Sequence, residues 1–301
     1  MKRAFFVCIV FFLSVTAWAE GLRLERLPDE AGARLLRQWA EMRAEAQRTA
    51  QGVCPSLVLV DGSDFAALIP AAGNLPGAGG SFFRSDVTLA NYGESDQEIR
   101  IVWLQRDTDG SAGVPTFGTT LPADVAPFTI RNFVGDGGLE LSGLGAILIF
   151  AVDSLDSVDP NGEIDAYSRI WSPLPNASSG TVSQQFPAVN PDLLFDSFEG
   201  IALGLRLDED YRSSAGIVNL DSVSHQYNIL VIGDFDFVEF DVTVRAFSMS
   251  QVSVPFADLG DVSVVVTLLD DDPPFSWVAY ATTNDNETSD GWVSLAGIPD
   301  F

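Results

Sequence analysis

Arg84–Leu104 reads RSDVTLANYGESDQEIRIVWL, and Arg212–Ile232 reads RSSAGIVNLDSVSHQYNILVI. Both stretches run Arg-Ser, a short apolar strand, Asn, a turn and a second strand, at a constant offset of 212 − 84 = 128. Asn91 falls on Asn219, Ile99 on Tyr227, Ile101 on Ile229 and Trp103 on Val231. The pattern predicts one β-hairpin unit used in two domains. Further along, Leu144-Gly145 aligns with Leu259-Gly260 at an offset of 115, and Ala166-Tyr167 with Ala279-Tyr280 at 113. The shrinking offset places deletions in the second copy, chiefly opposite the loop Asp107–Pro115 (DTDGSAGVP). Length changes at hairpin tips cost little chain entropy, so a duplication that diverged in its loops is the expectation.

Outward from the repeat, the chain after Leu57 is a succession of short β-rich runs broken by Gly, Pro, Asn and Asp. Val238–Val244 alternates polar and apolar as a half-buried strand does, while Ala146–Val152 and Val262–Leu269 are nearly continuous apolar runs of a length that suits sandwich-core strands. The expected fold class is all-β: two tandem β-sandwich domains, 57–191 and 192–301, behind a short N-terminal helical segment, 20–56. Pro187, Asn190 and Pro191 mark a short, stiff junction between them. One large barrel or a longer continuous sandwich is the alternative organisation.

Met1–Ala19 has Lys2 and Arg3, an apolar run from Ala4 to Val15, and Ala17-Trp18-Ala19 before Glu20, the layout of a secretory signal with an A-x-A cleavage site. The run is shorter than the roughly 20 residues a membrane span needs. Secretion, extracellular or periplasmic, is therefore expected, with no membrane span in the mature chain. Pro28–Gln51 is a helix by its stripe of Leu27, Ala31, Leu35, Trp39, Met42 and Ala46, with Asp29 and Glu30 at its positive end. It is expected to pack on the first β domain, a partner-docking helix being the alternative. Cys54 is the single cysteine once the leader is removed, and burial is its expected state.

The 42 Asp and Glu outnumber the 16 Lys and Arg, and removal of Lys2 and Arg3 takes the net charge from −26 to −28. Such a surface repels nucleic acid and anionic lipid, which are bound through Lys and Arg. Cations and basic partners remain compatible with it. With His225 the only histidine, no second His exists for a metalloprotease motif, and no G-x-S-x-G elbow presents a serine. His225 itself, opposite Gln97 of the first copy, is read as a turn or strand-edge residue. Asn176-Ala-Ser and Asn286-Glu-Thr fit the glycosylation triplet, which arises often by chance.

Ser81–Asn91 (SFFRSDVTLAN), Ala166–Trp171 (AYSRIW) and Gly180–Ala188 (GTVSQQFPA) together resemble a recurrent pattern in uncharacterised secreted bacterial proteins with tandem immunoglobulin-like β-sandwich modules. The second copy keeps Tyr211-Arg212-Ser213 and Ala279-Tyr280 but lacks the Gln-x-x-Pro ending. The resemblance implies an immunoglobulin-like fold and an extracellular setting for about Leu68–Phe301. It implies no catalytic or binding residue.

Two sets of residues are candidates for binding. Trp103, Trp171, Trp277 and Trp292, with Tyr92 and Tyr167, could stack on sugar rings, although Trp103 sits inside an apolar strand and reads as core. The acidic loop after Ala146–Val152 contains Asp159-x-Asn161-Gly162-x-x-Asp165, with oxygen ligands and a tight Gly turn of the kind calcium loops use. A weak structural calcium ion held by Asp156, Asp159, Asn161 and Asp165 is expected there, and a solvated Asx turn is the alternative. The functional expectation is a non-catalytic protein of adhesion, surface display or scaffolding with an extracellular protein or glycan as partner. A carbohydrate-binding module protein is the alternative, and an extracellular hydrolase the third. The leader gives a direct test: the secreted protein is expected to have an intact mass that starts at Glu20, and a secreted species that retains Met1 would contradict it.

Overall fold

The computed structural model describes residues 22–50, 65–77, 80–123, 127–174, 179–191, 194, 197–270 and 276–298. The leader, Cys54, Asn176, Asp271 and Asp272 lie outside the described residues. The protein is all-β with one N-terminal helix, α1 (Asp29–Ala50), preceded by a short strand, β1 (Glu25–Leu27). The first sandwich contains β2 (Ala66–Pro76), β3 (Phe82–Asn91), β4 (Gln97–Gln105), β5 (Thr116–Leu121), β6 (Phe128–Ile130), β7 (Gly143–Val152), β8 (Ile164–Pro173) and β9 (Thr181–Pro187). The second contains β10 (Glu199–Leu207), β11 (Tyr211–Asn219), β12 (His225–Ile232), β13 (Phe237–Val244), β14 (Ser248–Ser253), β15 (Gly260–Leu268), β16 (Trp277–Asp285) and β17 (Gly291–Leu295). Among the described residues no helix is long and apolar enough to cross a membrane.

The two sandwiches correspond strand for strand. The second has sheets β10-β15-β12-β13 and β14-β11-β16-β17. The first repeats them as β2-β7-β4-β5 and β6-β3-β8-β9, joined into one nine-stranded sheet because the end of β2 also pairs with β3 and β1 adds to β5. Register refines the repeat. Ile99 faces Ala151 and Tyr227 faces Leu268, so β7 and β15 are offset by 268 − 151 = 117 rather than 115. Gly143, not Gly145, is then the counterpart of Gly260, and both have positive φ, +99° and +68°, where glycine is favoured. An error of two residues leaves every side chain on its own face of a strand, so hydropathy does not expose it. The offset of 113 holds for β8 and β16, where Tyr167 faces Thr88 and Tyr280 faces Gly216. Even the irregularities recur: β2 shifts register between Ile69 and Ala72, and β10 between Ala202 and Leu205. The chain beyond β9 returns to pair Val189 with Leu68, as Gly297 pairs with Ile201.

Buried polar side chains explain why the sequence repeat survives at Ser and Asn. Asn91 Nδ2 donates to the carbonyls of Ser95 (2.9 Å) and Leu121 (3.1 Å), while its Oδ1 accepts from Gly93 N (2.9 Å). Asn219 donates to Val223 (2.7 Å), Arg245 (3.0 Å) and Val244 (3.3 Å), and accepts from Asp221 N (2.9 Å). One carboxamide thus closes the turn between the first two repeat strands and ties it to the end of β5 or β13. Ser85 Oγ donates to Gly73 O (3.2 Å) and accepts from Gly73 N (2.7 Å), and Ser213 Oγ donates to Arg206 O (2.7 Å), the equivalent position of β10.

Helix α1 lies on the outer face of β4 and β5, with Leu35, Leu36 and Trp39 fully buried and the Trp39 ring 6.5 Å from that of Phe150. Domain 2 also seats on domain 1. Its strand β14 lies against β4 and β7, β11 and β16 against β2, and β17 against β9. Val218, Leu220, Phe247, Met249, Val278 and Tyr280 therefore belong to the same apolar core as Trp103 and Phe150. The loop Asp107–Pro115, expected to be a free hairpin tip, instead straps the parts together. Asp107 N donates to Met249 O (2.9 Å), Gly110 N to Ala246 O (2.9 Å) and Val114 N to Asp29 O (3.0 Å).

Gly32 marks the closest approach of α1 to the sheet, where an added Cβ would stand 2.2 Å from Thr116 Oγ1 and 2.7 Å from Val114 Cγ2. Helix propensity alone would make Gly32→Ala stabilising by about 1 kcal/mol. Overpacking costs roughly 1–3 kcal/mol, so we expect a net lower denaturation midpoint for this variant; a raised midpoint would show that α1 is not seated this closely.

Candidate functional site

The acidic loop, the candidate metal site by sequence, has its side chains engaged within the chain. Asp156, at φ +60°, forms ion pairs with Arg34 of α1 and, at 2.6 Å, with Nε of Arg100 on β4. Asp159 Oδ1 accepts from Asn161 N (3.0 Å) in an Asx turn, and Asp165 Oδ1 accepts from Ala166 N (2.7 Å). Asp153 Oδ1 binds the amides of Leu155 (2.8 Å) and Ser157 (3.0 Å). Gln38 of α1 closes the contact by accepting from Val158 N at 3.3 Å. The loop thus fastens the helix to the sheet: of the four expected ligands Asp156 meets two arginines, while Asp159 and Asp165 accept from backbone amides. Among the described residues no group of three or more His, Cys, Asp or Glu is placed to hold a metal ion. A groove beside β1 is lined by Arg23, Glu25, Arg26, Glu98 and Arg100, of mixed charge, and Arg26 and Arg100 are paired with Asp29 and with Glu98 and Asp156.

A second ionisable cluster surrounds His225, which opens β12 and is buried. Its Nδ1 donates to Asp270 Oδ2 (2.8 Å) and its Nε2 to Asp221 Oδ2 (3.1 Å). Two carboxylate partners call for N–H at both ring nitrogens, which is the imidazolium form. Burial would push the imidazole pKa down, but the bonds and charges of Asp221 and Asp270 outweigh it and raise the value. Burial likewise works to raise the Asp221 carboxyl, and the His225 and Ser222 bonds overcome it and hold it below the ordinary value. Tyr227 packs beneath, its ring 5.2 Å from Trp277, and burial drives its hydroxyl well above the usual tyrosine range. The cluster ties the start of β12 to the end of β15. In domain 1 the equivalent Gln97 does this without charge, by donating to Val152 O at 2.9 Å. Reading the sequence alone misses the two acids; Asp221, four residues before His225, is the legible signal.

The aromatic candidates separate into core and surface. Trp103 and Trp277 are buried, the latter donating through Nε1 to Ser197 O (2.9 Å). Trp292 donates to Gly204 O (2.7 Å) and packs edge-on to Tyr211, with ring centroids 5.9 Å apart. Trp171 and Tyr167 lie four residues apart on β8, where Ile164, Ala166, Ser168, Ile170 and Ser172 point inward, so both rings share the outer face. Arg84 of β3 stacks there between Phe82 (4.9 Å) and Trp171 (5.6 Å). This face has rings, guanidinium groups and the carboxylate of Asp86 on one sheet. It is the described surface best equipped for a ligand.

Stability should follow the His225 cluster with a definite sign. An imidazole that holds its proton more tightly when folded contributes fully below the ordinary value of 6.5, and the contribution fades as pH rises through the elevated folded value. Asp221 acts oppositely, contributing above 3.8 and losing its effect as pH falls through its depressed folded value. We expect the melting temperature to fall above pH 6.5 by an amount equivalent to about 1 kcal/mol, given the partial exposure of Asp270. His225→Gln, which copies Gln97 of domain 1, should flatten that limb; an unchanged alkaline limb in this variant would assign the pH dependence elsewhere.

No family model matches the sequence, and no curated protein matches it. Among solved structures, the crystal structure of Thermotoga maritima 1070 aligns with 34% of this chain and 93% of its own, at 9% identity and a TM-score of 0.28. A likeness at that score gives no guidance on fold or function.

Proposed function

We propose that the chain is a secreted, non-catalytic protein of adhesion, surface display or scaffolding, built from two immunoglobulin-like sandwiches and acting in the extracellular or periplasmic space. The observation that carries the reading is that each sandwich leaves one broad sheet face open, the β3-β8-β9 face in domain 1 and the β10-β15-β12-β13 face in domain 2. Open sheet faces suit the recognition of other surfaces, whereas catalysis calls for a concave site with free acid and base groups. The polar groups of the acidic loop and of the His225 cluster are taken up by turns and strand ends. Support for the immunoglobulin-like reading comes from the cross-connected pairs β3 with β6 and β4 with β7, which correspond to the B–E and C–F pairs of such sandwiches. The edges differ, because β2 borders β7 and β8 borders β3. Secretion rests on the leader and its A-W-A site.

A carbohydrate-binding reading is favoured by Tyr167 and Trp171 on one face, about 13 Å apart along β8 at 3.3 Å per residue, with Arg84, Asp86 and Arg169 beside them. The two readings divide on an array of immobilised glycans and extracellular-matrix proteins probed with the chain from Glu20. Binding to at least one matrix protein is expected. A glycan signal abolished by Trp171→Ala would move the conclusion to the carbohydrate reading, and silence across the whole array would overturn both.

A further inference from the structure

The two copies end their matching sheets differently. In domain 1 the strand β5 is not left open: β1 lies antiparallel beside it, with Glu25 opposite Gly118, Arg26 opposite Phe117 and Leu27 opposite Thr116. Register carries these positions into domain 2. Arg100, Ile101 and Val102 face Gly118, Phe117 and Thr116, and their repeat equivalents Asn228, Ile229 and Leu230 face Asp241, Phe240 and Glu239. Glu239-Phe240-Asp241 of β13 therefore corresponds to the seat of β1. Among the described residues β13 pairs with β12 alone, and no strand lies on its other edge.

An open edge strand presents backbone N–H and C=O groups that a further strand can take up, and proteins usually blunt it with a proline, a lysine or a bulge. β13 (FVEFDVTV) has none of these and pairs with β12 in unbroken register. At the opposite border of the same sheet, β10 carries a register shift and is met by the returning chain where Ile201 pairs with Gly297. What guards β13 is charge. Glu239 and Asp241 project from its outer face and both accept from Asn228 Nδ2, at 3.0 and 2.9 Å. Neither β12 nor β13 carries Lys or Arg, and His225 at the start of β12 is taken by Asp221 and Asp270. Arg245 lies beyond the end of β13, and Arg206 stands on β10 at the far border, paired with Asp208. A second β13 laid antiparallel in full overlap would set Glu239 against Asp241, whereas a basic strand would meet opposite charge.

We propose that the free edge of β13 is a docking site for an extended, arginine- or lysine-bearing segment of a partner protein, added as a fifth strand to β10-β15-β12-β13. The register of β1 fixes what that segment carries. Basic side chains stand opposite Glu239 and Asp241, two residues apart. The residue between them faces Phe240, where an apolar side chain fits, as does an arginine laid over the ring in the way Arg26 lies over Phe117 at 4.9 Å. β1 of a second copy is a poor fit, because in the same register it sets Glu25 opposite Asp241. Backbone bonds supply affinity in such strand addition, and the side chains beside the edge supply the choice of partner.

The probe is a fluorescent hexapeptide of alternating valine and arginine, titrated into the full chain at about 0.15 M salt, where exposed charges are screened beyond about 8 Å. Binding is expected, with amide hydrogen exchange slowed in β13. Glu239→Gln with Asp241→Asn keeps the acceptors for Asn228 and should weaken binding about tenfold. The same peptide N-methylated at every amide keeps its charges but has no N–H to pair with, and should not bind. This control is read on the wild type, so the result does not depend on how the double variant folds. Equal binding of the N-methylated peptide, binding without slowed exchange in β13, or no binding of the parent peptide would each overturn the proposal. A chain that dimerises without peptide and protects β13 in doing so would give the edge to a second copy and overturn it too. The site does not depend on the glycan and matrix readings: silence on that array leaves this edge untouched, and failure here leaves the array result as it stands.

Discussion

The buried carboxamide at Asn91 and Asn219 is the interaction on which the remaining architecture depends. The turn between the two core strands lies at the surface, but the strand ends it must be tied to, at Leu121 and Val244, are buried, and a buried backbone group left unsatisfied costs roughly 1–3 kcal/mol. A single Asn satisfies three or four backbone groups and links the turn to the end of a third strand. Once that corner is fixed, the strands leave it in one register, and register decides which side chains face the core. The serine six residues earlier then fixes the opposite end of the strand to the neighbouring sheet. Both residues recur because both do the same task in each copy, which is why the repeat is visible in sequence at all.

A sandwich buries only the inner faces of its two sheets, and the fate of the outer faces distinguishes the copies. Domain 1 hides one outer face under α1 and domain 2. Domain 2 hides the opposite one against domain 1. The helix is not an appendage in this scheme. It converts β7 from a half-buried strand into one with no exposed residue past Gly143, consistent with the unbroken apolar run from Leu144 to Val152, while its counterpart β15 alternates.

Much of this is legible in the residues, for reasons that can be named. Period-two alternation, turn residues and an ungapped repeat locate the strands, and the stripe from Ala31 to Trp39 locates the helix, because each reports local burial. The equivalence of β7 and β15 slips by two residues when glycine identity is followed where backbone φ matters. The arginine partners of Asp156 are not legible in the acidic loop, because opposite charges distant in sequence are invisible to a local pattern: Arg34 lies 122 residues from Asp156. The partner of His225 at Asp270 is hidden in the same way.

The strap Asp107–Pro115 has a consequence for how the duplication can change. It is joined to the first residue of α1, to the corner after β13 and to its own sheet, so segments far apart in the chain share one set of backbone bonds. Neither sandwich can then be deleted, exchanged or shuffled as a ready-made cassette without leaving bare amides on domain 1 or bare carbonyls on domain 2. The two copies are thereby mutually dependent, through the loop as well as through the apolar core they share.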